Sequence, residues 1–316
     1  MEIWAAAADE HGLLTTSDLH TAGLNVRDIA ALTRQRLITR LARNWYALGT
    51  PADEDDRHVL TTRAMLRAHG GRAVAGHHSG LLLLALPTYR ADLARVRLVR
   101  RESGSPRTRA GQSLGRAVPH DALLEETVTP ALAVVQHGLS SGPLSALVAA
   151  DAALHRGLVT PDDLTQALCW VHRQPRSKPL KGFLALADGR RESPGETRLA
   201  HALHLMKLEA IPQYEITSPP FMAVVDFLLT TEKVVIEFDG QVKYGRTAHE
   251  VDPFGRRLTP QQVLWLEKQR EDRIRELGYE VVRVVWSDLD DLVALTKRIA
   301  AAISRARARR LGRLSA

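Results

Sequence analysis

The 316-residue sequence predicts a multidomain α+β protein. Hydrophobic residues follow helical spacing in some segments and strict alternation in others. Stretches rich in proline, glycine and charge interrupt these patterns and mark linkers. Hydrophobic residues make up 45% and charged residues 25% of the chain, which is the balance of a folded globular protein. We therefore expect two or three domains, each with its own core.

The composition argues against membrane-spanning, secreted and disulfide-rich classes of protein. No apolar run approaches the ~20 residues that a membrane-spanning helix needs, and the acidic N-terminus lacks the basic start of a signal peptide. The single cysteine, Cys169, excludes an internal disulfide framework. We therefore expect a cytoplasmic protein with no membrane contact. The net charge of +7 is concentrated at 90–116 and 297–316, which favours a polyanionic partner such as DNA; a solvated basic surface is the alternative.

Residues 1–50 have the pattern of two short helices followed by a hairpin. Asn25 can cap a helix at Val26–Gln35, and alternation predicts strands at Leu37–Arg40 and Trp45–Leu48. Helices around a glycine-containing turn, with a hairpin after them, predict a winged helix-turn-helix. A small helical domain that contacts only proteins is the alternative. The candidate DNA-phosphate contacts on the second helix and the hairpin are Arg27, Arg34, Arg36, Arg40 and Arg43.

Residues 51–187 predict a mixed α/β middle region. A helix with an acidic start is expected in the run DEDDRHVLTTRAMLRAHGG. A strand with one basic, solvated face is expected in ARVRLVRR. A further helix is expected in TPDDLTQALCWVH, which opens with proline and two acidic residues.

Residues 192–316 predict a mixed sheet covered by helices. Apolar runs of strand length alternate here with longer runs of helical spacing. The expected elements are helix Pro194–Glu209, strands Tyr214–Ile216, Val224–Leu229 and Val234–Phe238, helix Thr259–Leu277, strand Tyr279–Trp286 and helix Leu289–Ala308.

Carboxylates interrupt two of these strands. Asp226 lies within VVDFLL and Glu237 within VVIEFDG, where a charge is costly to bury unless it is paired or binds a cation. The short TTEK connection predicts a hairpin that brings the two side by side, and Mg²⁺ takes such oxygen ligands. Glu196, early on the preceding helix, is a candidate third carboxylate. Asp239 shares a strand face with Glu237.

Phosphodiester hydrolysis also needs a cationic group near these carboxylates. If the strand continues regularly, Lys243 shares the face of Glu237 and Asp239. A metal ion then activates water, and the ammonium group stabilises the developing charge. Two alternatives remain open. One is a structural salt bridge between Lys243 and Asp239, and the other is Arg270 as the cation, which helical spacing turns to the same side as Glu267.

These motifs resemble the PD-(D/E)xK nuclease superfamily, which has the restriction-endonuclease-like α/β/α fold. The ordered set SPGETRL, VDF, IEFDGQVKYG and LEKQREDRIRELGYEVVRVVWSDL is similar to the very-short-patch-repair (Vsr)-like endonucleases, over the last third of the chain. The resemblance implies that Asp226 and Glu237 bind Mg²⁺ or Mn²⁺ and that Glu196 assists. Asp239 stands where the signature has lysine, and Lys243 is the candidate to replace that lysine from further along.

The N-terminal run resembles a second family. HGLLTTSDLHTAGLNVRDIAALTRQRLITRLARNWYAL is similar to the winged-helix domain of the AbiEi-type antitoxin family of transcriptional regulators. This resemblance implies DNA binding, with a toxin or another defence protein as partner. We therefore predict a DNA-binding, Mg²⁺-dependent endonuclease of phage defence or DNA repair. The alternative is an antitoxin-type regulator whose nuclease fold binds nucleic acid without cutting it.

Overall fold

The structure is a computed structural model that describes residues 3–109, 111–240 and 259–314. The chain divides into two compact units, Met1–Gly189 and Arg190–Ala316. It is a mixed α+β protein with several sheets, which confirms the predicted fold class at that level. Within the described ranges, no helix is both long and apolar enough to cross a membrane.

The first unit begins with a small antiparallel sheet and two short helices. Its first elements are a 3-10 turn (Ile3–Ala7), β1 (Leu13–Thr15), α1 (Thr16–Thr21), α2 (Val26–Arg34), β2 (Ile38–Ala42) and β3 (Trp45–Leu48). The strand order is β1-β3-β2. Asn25 caps α2 as predicted, since its side-chain oxygen accepts the N–H groups of Arg27 and Asp28. Strand β2 runs beyond the predicted end at Arg40 because Asn44, with φ 66°, forms a tight left-handed turn.

A mixed sheet and a group of helices complete the first unit. The elements are α3 (Glu54–His69), β4 (Ala73–Ala75), α4 (His77–Leu83), β5 (Val96–Arg100), β6 (Arg107–Arg109), β7 (Gln112–Gly115), α5 (Pro130–Ser141), α6 (Pro143–His155), α7 (Pro161–Val171) and α8 (Ser177–Leu184). The strand order is β4-β5-β7-β6, with β5 and β7 parallel. Helix α3 packs against the N-terminal sheet, because its Ala64 shares a buried cluster with Leu13 and Trp45.

The second unit is built on a single four-stranded sheet. Its elements are α9 (Pro194–Leu205), β8 (Ile211–Ser218), β9 (Phe221–Leu229), β10 (Val234–Phe238), α10 (Pro260–Glu276), β11 (Glu280–Val284), a 3-10 turn (Trp286–Asp290) and α11 (Leu292–Leu314). The strand order is β11-β10-β9-β8. Strands β10 and β11 are parallel, and the other neighbours are antiparallel.

Alternation along β10 assigns its side chains to the two faces of the sheet. Val234 and Ile236 pack in one buried cluster with residues of α9 and α11, whereas Val235 packs in another with Ile274 of α10. Helices α9 and α11 therefore cover one face, and α10 covers the other. Glu237, two residues after Val235, is placed on the α10 face.

Several boundaries in the second unit differ from the sequence predictions; for example, α9 ends at Leu205 rather than at Glu209. Strands β8 and β9 are longer than predicted, because they pair as far as the turn at 219–220. The last helix begins at Leu292 rather than Leu289, because Asp291 has a non-helical backbone (φ −121°, ψ 79°) that separates α11 from the preceding 3-10 turn.

Candidate functional site

Strands β9 and β10 form a hairpin that carries the two central carboxylates. Their antiparallel register pairs Ile236 with Phe227. The paired segment ends there, and Glu237 and Asp226 are the next residue along each strand. The backbone N–H of Phe238 donates to Asp226 Oδ2 at 2.7 Å, which ties this side chain to the end of β10. The hairpin therefore brings both carboxylates to the same place on the sheet.

Asp226 has an unusually high proton affinity. Burial is the main cause that raises the pKa of Asp226 to about 6, and repulsion from Glu196 and Glu237 adds to it, against the lowering effect of the Phe238 N–H group. A cation beside Asp226 would offset both the lost hydration and the repulsion. Perturbed carboxylates of this kind are concentrated at functional sites.

Glu196 is held in the first turn of α9 by the residues around it. Ser193 Oγ donates to Glu196 Oε1 at 2.8 Å, and the Glu192 N–H and the Gln213 side chain both donate to Oε2 at 3.0 Å. The residue is only 7% exposed. Glu196 is thus a fixed, buried negative charge whose oxygens are already engaged, and it acts on Asp226 through its electric field.

Arg270 of α10 contacts Glu237, one of the two central carboxylates. Its Nη2 donates to Glu237 Oε1 at 2.5 Å, and its Nη1 donates to the carbonyl oxygen of Val224 at 3.1 Å. The same guanidinium also donates to Glu267, through Nε at 3.2 Å and Nη2 at 3.0 Å. Helical spacing predicted that Arg270 and Glu267 share a side of the helix. The contact with Glu237 arises because α10 packs on the face to which Glu237 points.

Glu267 is held by a second arginine. Arg283 on β11 donates to Glu267 Oε1 at 2.8 Å and pairs with Glu271 Oε2 at 2.8 Å. Hydrogen bonding from Arg270 is the main cause that lowers the pKa of Glu267, so this carboxylate stays ionised at neutral pH. Arg270 therefore lies between two carboxylates, Glu237 in the sheet and Glu267 on the helix.

The carboxylate oxygens of Asp226 and Glu237 are of the type that a hard divalent cation prefers. Among the described residues, Asp226 Oδ1 and Glu237 Oε2 accept no hydrogen bond. Mg²⁺ prefers carboxylate oxygens and is commonly bound through one or two of them, with water completing the shell. Within the same residues, no three His, Cys, Asp or Glu side chains are grouped so that they could hold a metal ion. Among the described residues, Asp226 and Glu237 are therefore the pair that could hold an ion here.

Two further predicted site residues follow the end of β10. Asp239 keeps the strand pairing through its N–H, which donates to the Val284 carbonyl oxygen at 2.8 Å, and its side chain is half-buried. Lys243 belongs to 241–258, outside the described residues. The predicted common face of Lys243 and Glu237 therefore stays a prediction.

The five arginines of the predicted DNA surface are all exposed; they are Arg27, Arg34, Arg36, Arg40 and Arg43. None of them forms an ion pair within the part of the chain that the structure describes. Arg27 and Arg34 lie two turns apart on α2 and so share one face, opposite the buried Ile29. This face of α2 therefore has positive charge that no ion pair neutralises among the described residues.

The basic C-terminal helix differs from that surface, because its own unit neutralises much of its charge. Arg305 and Arg309 both pair with Glu280 of β11, at 3.0 and 2.6 Å. Arg298 pairs with Asp288 at 2.6 Å. Composition alone showed a basic stretch at 297–316, which favoured a polyanionic partner or a solvated basic surface. These partners were missed because each lies ten or more residues away in sequence.

Comparisons with known proteins assign no family to the chain. No family model matches it, and no curated protein matches it significantly. Among the solved structures, the RV2827C protein from Mycobacterium tuberculosis is 16% identical, with a TM-score of 0.35, and the match covers 68% of this chain and 89% of that one. A likeness of this extent assigns neither a fold nor a function.

Proposed function

We propose that this chain is a DNA-binding protein whose second unit is a Mg²⁺-dependent endonuclease of the restriction-endonuclease-like fold. The Asp226–Glu237 pair is the observation that carries this proposal. Two carboxylates on adjacent strands approach each other in a largely buried place, and each keeps one oxygen without a hydrogen bond among the described residues. Such a pair is electrostatically unfavourable on its own, and a divalent cation would stabilise it.

Each residue of the site would have a separate role in phosphodiester hydrolysis. Asp226 and Glu237 would hold the ion, either Mg²⁺ or Mn²⁺, which when bound supplies Lewis-acid activation of water and of the phosphate. Glu196 keeps a fixed negative charge near Asp226, which favours a divalent cation there. Lys243 or Arg270 would supply the positive charge that stabilises the phosphate as negative charge develops on it.

The first fifty residues would bind the duplex as a winged helix-turn-helix. In this proposal Arg27 and Arg34 on the exposed face of α2 contact phosphates, and Arg36, Arg40 and Arg43 extend that surface onto the hairpin. Contacts of this kind give affinity and orientation without reading the base sequence. We place the protein in the cytoplasm, in phage defence or DNA repair.

A second candidate function is that of an antitoxin-type regulator, with a toxin as partner, that binds nucleic acid and does not cut it. Two features of the site favour this candidate. Asp239 stands where the nuclease signature has lysine, and Arg270 already occupies one oxygen of Glu237.

Cleavage of supercoiled plasmid DNA by the full chain, with Mg²⁺ or Mn²⁺ and with EDTA, separates the two candidates. We expect metal-dependent nicking by the wild type and none by Asp226→Asn or Glu237→Gln, because each substitution removes a ligand charge. DNA binding should survive in both variants. Asp272→Asn, at an exposed position of α10, is the matched control and should cut like the wild type.

Lys243→Ala belongs in the same assay. If Lys243 replaces the signature lysine, its loss should slow cleavage on the order of a hundredfold or more, as the loss of one electrostatic stabiliser does. Normal cleavage by Asp226→Asn or Glu237→Gln would show that the carboxylate assignment is wrong. A wild type that fails to cleave the plasmid with every metal ion tried would favour the regulator.

A further inference from the structure

Arg270 is shared between two carboxylates of different kinds. Its Nη2 contacts both Glu237, at 2.5 Å, and Glu267, at 3.0 Å, and its Nε makes a second contact with Glu267 at 3.2 Å. Glu237 is a proposed metal ligand, whereas Glu267 lies on α10 and pairs with Arg283. The position of the Arg270 guanidinium therefore determines the strength of its electrostatic attraction to Glu237 when no metal ion is bound.

We propose that Arg270 is a built-in competitor for the metal ion at Glu237, and that Glu267 weakens this competition by drawing Arg270 toward α10. The inference rests on the metal site of the proposed function and adds its regulation. It follows from the charges, because Arg270 and a divalent ion are both attracted by the same carboxylate. Burial strengthens the effect, since Glu237 is only 9% exposed and water screens it weakly.

Substitutions of Arg270 and of Glu267 should change the affinity for a divalent ion in opposite directions. Removing the charge of Arg270 frees Glu237 of its competing cation, so the affinity for a divalent ion should rise. Removing the charge of Glu267 leaves Arg270 with Glu237 as its only carboxylate among the described residues, so the affinity should fall. A neighbouring opposite charge shifts the proton affinity of a carboxylate by about 1–3 pH units, so we expect changes on the order of tenfold in metal affinity.

A merely structural role predicts a different pattern. Arg270 also donates to the Val224 carbonyl oxygen at 3.1 Å, and so it fastens α10 to β9. If fastening were its only role, Arg270→Gln and Glu267→Gln would both loosen the site. Both would then bind the metal ion more weakly than the wild type does. The sign of the change therefore separates competition from fastening.

Titration of the full chain with Mn²⁺ in the absence of DNA, by isothermal titration calorimetry, tests the inference without measuring cleavage. We expect about tenfold tighter binding for Arg270→Gln and weaker binding for Glu267→Gln. Arg270→Lys keeps the cation and should stay near the wild type. Arg273→Gln is the matched control and should change nothing, because Arg273 pairs with Glu276 on the outer side of α10 at the same spacing.

The outcomes of this titration distinguish the two proposals. If the wild type binds Mn²⁺ and Arg270→Gln binds it more weakly or equally well, the proposed competition is wrong. The endonuclease proposal is then unaffected. Tighter binding by Arg270→Lys would overturn it as well, because that variant retains the charge. If neither the wild type nor any variant binds Mn²⁺, both the metal site and the competition are wrong.

Discussion

Asp226→Asn should make the second unit more stable at neutral and alkaline pH, although it removes a proposed metal ligand. The substitution keeps the size of the side chain and an oxygen that can accept the Phe238 N–H group, and it removes the titrating carboxyl. The pKa of Asp226 is raised from 3.8 to about 6, mainly by burial. The fold therefore disfavours the ionised form, and the variant escapes that penalty.

The size and sign of the effect follow from this pKa. One pKa unit corresponds to about 1.4 kcal/mol, so the ionised Asp226 destabilises the fold by about 3 kcal/mol at most. The pKa of Asp226 is higher in the folded state, so the stabilisation of the fold by its protonated form is fully present below the unfolded pKa of 3.8. It is lost as the pH rises from there through about 6. At about pH 4.5 the variant should gain only about 1 kcal/mol, against about 3 kcal/mol at about pH 8.

Urea unfolding monitored by hydrogen exchange of the β9 and β10 amides measures this difference in the second unit. The experiment is done in EDTA, with Asp272→Asn as a control for removing an exposed carboxylate. Excess Mg²⁺ should then stabilise the wild type, by an amount set by the ratio of ion concentration to Kd, and should leave Asp226→Asn unchanged. A stability gain that is the same at both pH values would refute the argument from burial and repulsion.

Two further predictions concern the arginine surface and the packing of α9. Charge reversal at Arg27 and Arg34 should weaken duplex binding and flatten its salt dependence by roughly one unit of slope per lost phosphate contact, measured by fluorescence anisotropy across salt concentrations; an unchanged slope would place the DNA contact elsewhere. Gly195→Ala should destabilise the second unit by about 1–3 kcal/mol or more, because the new Cβ would lie 1.9 Å from Phe238 Cε1. Gly182→Ala, in a helix with nothing within 4 Å, is the control and should stabilise slightly in urea unfolding; equal effects would show that the contact with Phe238 is not the cause.

Features that depend on neighbouring residues were predictable from the sequence. Asn25 was recognised as a cap because capping needs only the next three residues. The hairpin of β9 and β10 was recognised because two apolar strands flank a short turn, and this pairing brings Asp226 and Glu237 to the same end of the paired segment. The pairing of Glu267 with Arg270 also follows from helical spacing.

Contacts between distant elements could not be predicted in the same way. The bond from Arg270 to Glu237 depends on which face of the sheet α10 covers, and no local pattern fixes that choice. Gln213 reaches Glu196 because β8 pairs beside β9 at the edge of the sheet, which the sequence did not define. The pairs that Glu280 makes with the C-terminal arginines likewise require α11 to lie along β11.

These distant contacts explain how three acidic side chains coexist in one folded unit. Glu196 is satisfied by three hydrogen bonds, Glu237 is balanced by Arg270, and Asp226 is partly protonated near its pKa of about 6. Each of these interactions lowers the repulsion among the carboxylates without a metal ion. When a metal ion binds, it must either displace the proton or hydrogen-bond donor from the carboxylate or bind through the other carboxylate oxygen. In the proposed function, metal binding therefore depends on two competitions: a divalent ion against a proton at Asp226, and a divalent ion against Arg270 at Glu237.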